Sequence, residues 1–168
     1  MSNSQRGLRF WVKTWWPVAL MVTLIAVSSS PTFGANETSG PLRWLWQAIF
    51  GPVTNPQWGF IHFSIRKTGH FTGYGLLGLA WLRAWWLTFP RSRFWSDAVF
   101  AVLGTAVIAS SDEFHQRFLP NRTGSPWDVL LDCCGAMFMC LVVYGIACLA
   151  RPQWLRKAVQ VADDDARR

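Results

Sequence analysis

Four carboxylates, a histidine and a glutamine crowd the stretch "SSDEFHQRFLPNRTGSPWDVLLD", Ser110 to Asp132. On a helix, at about 100° per residue, Asp112, His115 and Gln116 share a face, and Glu113 lies about 100° from Asp112. A second set stands upstream in "KTGHFTGYGLLG". There Lys67, His70 and Tyr74 fall within about 60° of one another. These residue types suit acid–base work on a charged ligand. Lys67 and Arg122 would hold a phosphate or carboxylate. His70 or Glu113 would move a proton, with Asp112 orienting the histidine. Tyr74, His115, Gln116, Asp128 and Asp132 complete the candidate binding set. A dedicated nucleophile is not evident.

Each group also has a plainer reading. Lys67, His70 and Tyr74 could be a snorkelling lysine, a capping histidine and an interfacial tyrosine. The Asp112–Gln116 segment could be a solvated helix end, although acids near a helix C-terminus oppose its dipole. Ser125, Pro126 and Asp128 have the order of an N-cap, a first-turn proline and an acid three residues past the cap. Capping does not account for Asp132, one turn deeper in an apolar helix. A lone carboxylate there costs at least about 2–3 kcal/mol, so it is expected to be neutral or paired with Lys67, His70 or Arg122. The Asp112–His115 spacing lacks the specificity of an HExxH motif, and no metal or cofactor is expected. Cys133, Cys134, Cys140 and Cys148 show no CxxC spacing and read as small packing residues.

The elements that must carry these residues are apolar. Of the 168 residues 51% are hydrophobic and 15% charged, with 12 tryptophans, a charged share well below the roughly 25% of soluble domains. A first helix is expected over about Phe10–Val27, uncleaved despite the basic start and the small residues Ser28–Ser30. "PLRWLWQAIFGP" reads as a short helix in the membrane interface. A second span is expected over about Thr68–Thr88, with a possible earlier start after Asn55-Pro56. A third runs over about Trp95–Gln116 with Ser96 as N-cap, and a fourth over Pro126–Leu149. A charged tail follows from Arg151. The fold class is therefore an all-α integral membrane protein in one domain, with four transmembrane helices and a short interfacial helix after the first. In that arrangement eleven of the 16 basic residues lie on the side of the termini and five on the other. This places both termini in the cytoplasm and the polar cluster outside. The net charge of +7 is then a topology signal, and nucleic acid is not an expected partner.

The blocks "KTGHFTGYGLLG", "SSDEFHQ" and "RTGSPWDVLLD" together resemble the VanZ-like family, membrane proteins named for a teicoplanin-resistance accessory protein. The resemblance covers about residues 66–139. It implies Lys67, His70, Tyr74, Asp112, Glu113, Gln116, Arg122 and Asp128 as the polar set, with Asn in many relatives where this chain has Asp132. It implies a bacterial cell-envelope role linked to glycopeptide susceptibility, but it supplies no reaction. The reading adopted is a protein of the inner membrane acting at its outer leaflet on a lipid-linked or cell-wall precursor. The alternative is a non-catalytic site for a lipid headgroup, a glycopeptide or a partner protein.

Overall fold

The structure is a computed structural model that describes residues 7–90, 92–119 and 124–149. The expected tail from Arg151 lies outside the described residues. The described residues form five α-helices and no strand: α1 Leu8–Ser28, α2 Ala35–Phe50, α3 Asn55–Thr88, α4 Phe94–Gln116 and α5 Pro126–Leu149. A 3-10 turn, Pro31–Phe33, joins α1 to α2. Three of the helices, α1, α4 and α5, are long and apolar enough to cross a membrane. Much of their surface is exposed leucine, valine, phenylalanine and tryptophan. Water would penalise such a surface, whereas lipid would not.

The fourth expected span, within α3, is not among those three. α3 packs against α1, α4 and α5, most extensively against α5. Its face is built for close approach rather than for lipid. Leu77 and Ala84 are completely buried, and Tyr74, Gly75, Gly78 and Leu82 are buried beside them. A Cβ on Gly78 would stand 2.7 Å from Cβ of Ala136, and one on Gly135 would stand 2.2 Å from the carbonyl oxygen of Phe71. Small residues at these crossings let the two backbones touch, as in packed membrane helices. His70, Arg83 and the tryptophans, with Gly75 and Gly78, keep the hydropathy of α3 low.

Local chemistry sets the helix ends. α3 begins at Asn55, thirteen residues before Thr68 and at the earlier start that Asn55-Pro56 offers. A capping box closes its start: the backbone N–H of Thr54 donates to Oε1 of Gln57 at 3.1 Å, and the Thr54 side chain faces the backbone of Gln57. α2 begins at Ala35 and runs through Pro41, stopping at Gly51, whose φ of 89° ends the helix. α4 begins at Phe94 with Arg93 as N-cap, so Ser96 sits inside the first turn rather than capping it. α5 starts at Pro126 as expected, and Oγ of Ser125 accepts from the N–H of Trp127 at 3.2 Å.

The contacts also give the chain directions. Arg83 reaches the carbonyl of Thr14 at 2.9 Å, while Tyr74 and Ser29 meet at Asp112. α1 therefore runs antiparallel to α3. Gly104 lies against Trp81 and Asp112 against Tyr74, so α4 also runs antiparallel to α3. Lys67 meets Asp128, and Phe71 meets both Gly135 and Phe138, so α5 runs parallel to α3. Tryptophans close the opposite end of the bundle: Trp15 meets Trp81 and Trp85 edge-on, with ring centroids 5.5 and 5.2 Å apart.

Candidate functional site

The polar residues gather at the end of the bundle where α1 and α4 finish and α5 starts. Asp112 is the hub of one group. Its Oδ2 accepts hydrogen bonds from Oγ of Ser29 at 2.8 Å, from the Tyr74 hydroxyl at 3.0 Å and from Nε2 of Gln116 at 2.9 Å. Nε2 of Gln116 also donates to Oγ of Ser29 at 3.3 Å. All four residues are buried, so the network ties α1, α3 and α4 together in a setting where unmade bonds are costly.

The second group joins α3 to α5. Nζ of Lys67 donates to Oδ1 of Asp128. One turn along both helices, Nδ1 of His70 stands 3.4 Å from Oδ1 of Asp132. Asp132 is completely buried. The His70 ring stacks on Tyr74 at 6.0 Å between centroids, which joins the two groups. Glu113 turns the other way from Asp112 on α4. Its Oε2 accepts the backbone N–H of Ser125 at 2.7 Å. That bond fixes the start of α5 against the end of α4. Gly124 makes the approach possible, because a Cβ there would lie 2.2 Å from the carbonyl oxygen of Glu113.

Of the sequence candidates, Lys67, His70, Tyr74, Asp112, Glu113, Gln116, Asp128 and Asp132 come together at this end. His115 does not join them. It is exposed, whereas Asp112 and Gln116 on the same helix are buried. Arg122 lies outside the described residues. The expected partnership of Asp112 with the histidine is also corrected: Asp112 serves Ser29, Tyr74 and Gln116, and the carboxylate facing His70 is that of Asp132. The spacing on α4 could not reveal this, because the pairing is set by the parallel contact of α3 with α5.

A cavity of about 260 Å³ opens beside the network, between α1, α2 and α3. Ser29, Arg66, His70, Tyr74 and Asp112 line its polar side, and Ile25, Phe33 and Leu42 its apolar side. Ser29 and Arg66 were not among the sequence candidates. Arg66 directly precedes Lys67, and its charge was the available signal. Ser29 lay in a serine run that looked like a helix end and offered no helical spacing to the rest. α2 covers this region through a short contact of Thr38 Oγ1 with Nε2 of His62, 3.1 Å, and a hydrogen bond from Nε1 of Trp58 to Oγ of Ser39, 2.8 Å. The site thus offers a guanidinium, an imidazole with a buried carboxylate behind it and a phenol, beside an apolar wall. That combination fits a molecule with a charged head and a greasy tail.

A sequence-family model described as VanZ/LLP1 matches residues 14–149, which include every described site residue. Neither a curated protein nor a solved structure matches the chain.

Proposed function

The chain belongs to the VanZ/LLP1 family, and from that premise we propose that it is an integral protein of the bacterial inner membrane whose outer-leaflet polar site acts on a lipid-linked or cell-wall precursor. The observation that carries this reading is the cavity in which Arg66, His70, Tyr74 and Asp112 face an apolar wall. Such a site at a membrane surface would take a phosphate-bearing headgroup while the lipid chain stays against apolar side chains.

In this reading the side chains divide the work. Arg66 and Arg122 hold the anionic headgroup. Lys67 contributes charge but is shared with Asp128. His70 moves a proton beside the buried carboxylate of Asp132. Asp112 holds Tyr74 and Gln116 in position. Consequences at the cell surface, including altered teicoplanin susceptibility, follow from a changed supply of precursor. The alternative is a non-catalytic binding protein for the same kind of headgroup, a glycopeptide or a partner protein. The engagement of Asp112 by three fixed donors favours that alternative, because a rigid cradle suits recognition.

Incubation of the purified protein with lipid-linked diphosphate precursors, followed by mass spectrometry of the products, tests the proposal. Conversion by the wild type is expected, with His70→Ala and Glu113→Gln reaching normal membrane abundance but losing conversion and any change in teicoplanin tolerance. Co-purified lipid without conversion would establish the binding alternative. Loss of both variants from the membrane would mark the cluster as a structural clasp.

A further inference from the structure

We propose that His70, Glu113 and Asp132 form a binding site for one divalent cation of the Mn2+ or Zn2+ type, held between α3, α4 and α5. One donor atom from each of these residues lies within 4.8 Å of the other two. Donors bound to one ion at about 2.0–2.2 Å stand about 3.0–3.6 Å apart. The 3.4 Å between Nδ1 of His70 and Oδ1 of Asp132 already has that value, and Glu113, whose Oε2 is held by the Ser125 N–H, supplies the third donor within 4.8 Å of both.

The second argument is the state of the donors. Asp132 is 0% and Glu113 3% exposed. The approach of His70 to Asp132 lacks hydrogen-bond geometry. Both oxygens of Asp132, Oε1 of Glu113 and Nδ1 of His70 are buried with no hydrogen-bond partner among the described residues. Buried carboxylates are stable when paired or bound to a metal. The nearby lysine is engaged by Asp128, and Asp112 by three donors. An imidazole with two carboxylates is a mixed nitrogen–oxygen set, which suits Mn2+ or Zn2+ better than a purely hard or purely soft ion. Three protein ligands leave coordination positions open. His70 also lines the cavity, so an open position would be near a headgroup phosphate. That last use rests on the function proposed above, whereas the cation site rests on its own geometry.

The test is a titration of the chelator-treated, full-length protein with Mn2+ alone, followed by electron paramagnetic resonance. One saturable site is expected. It should weaken at least tenfold in Asp132→Asn and in Glu113→Gln, and remain unchanged in Glu37→Gln, which alters an exposed acid on α2. Zn2+ should displace the Mn2+. No saturable binding by the wild type, or binding that survives both site substitutions, would overturn the proposal. Should the substituted chains fail to fold, the hyperfine spectrum of the wild-type complex decides: nitrogen coupling to the bound Mn2+ supports the site and its absence overturns it. Conversion of a lipid-linked precursor that persists without any Mn2+ site would remove the cation and leave the precursor reading standing. Mn2+ binding without conversion would do the reverse.

Discussion

Asp112 is held by side chains that come from opposite ends of the sequence. Ser29 caps the end of α1, Tyr74 is on α3 and Gln116 is at the end of α4, and each donates to the same carboxylate oxygen. Ser29→Ala and Tyr74→Phe each remove one donor and leave the acceptor satisfied by the others. Each should lower stability by about 1 kcal/mol. Asp112→Asn is expected to be worse, about 1–3 kcal/mol, because an amide NH2 would then face donors that have lost an acceptor. Thermal unfolding of the three variants in one detergent checks the order. Asp112→Asn milder than Ser29→Ala would show that Asp112 is not the hub. Tyr74, Asp112 and Gln116 were legible in the sequence because helical spacing puts polar types on one stripe. Ser29 was not, because nothing local distinguishes a serine that caps a helix end from one that reaches across the bundle.

Helix crossings decide whether those residues meet. α3 and α5 touch where Gly78 faces Ala136 and where Gly135 faces the Phe71 backbone. The His70–Asp132 approach lies about one turn from the second crossing. In Gly135→Ala the new methyl would fall 2.2 Å from a backbone oxygen, and backbone cannot swing aside as a side chain can. The helices would have to separate, at a cost of about 1–3 kcal/mol. Gly145, where an added methyl would meet nothing within 4 Å, is the matched control. Gly135→Ala is therefore expected to unfold at lower temperature and to lose the function of the site, while Gly145→Ala stays close to wild type. Equal behaviour of the two would refute the close crossing. The existence of the helices was legible from apolar runs, and the start of α5 from its Ser125-Pro126 signal. The full length of α3 was legible only as the earlier start offered by Asn55-Pro56, because its N-terminal turns are aromatic and polar rather than apolar, and the capping box at Thr54 and Gln57 defines them. The parallel pairing of α3 with α5 is tertiary, so the sequence could name His70 only as one of three candidate partners of Asp132, and the structure sets the two side by side.

The bundle as a whole has a polar end and a tryptophan-rich end, joined by helices whose outer faces are apolar. α1 and α4 run one way and α3 and α5 the other. If α4 and α5 cross the membrane, α3 packed alongside them crosses too, although its own hydropathy does not reveal it. A count of apolar helices accordingly gives three, and a fourth pass through α3 is our proposal. In that proposal four passes would return the C-terminus to the side of the N-terminus. Sidedness in that proposal depends on charge: by the sequence reading, eleven of the 16 basic residues would fall with the termini and five on the other side. Retention of positive charge in the cytoplasm would then put the polar end outside. A reporter active only outside the cytoplasm should accordingly be silent when fused after Arg168 and active when inserted after Asn121. The reverse pattern would put the polar end in the cytoplasm and end the outer-leaflet proposal. Activity of both fusions, or of neither, would mean that α5 does not cross the membrane.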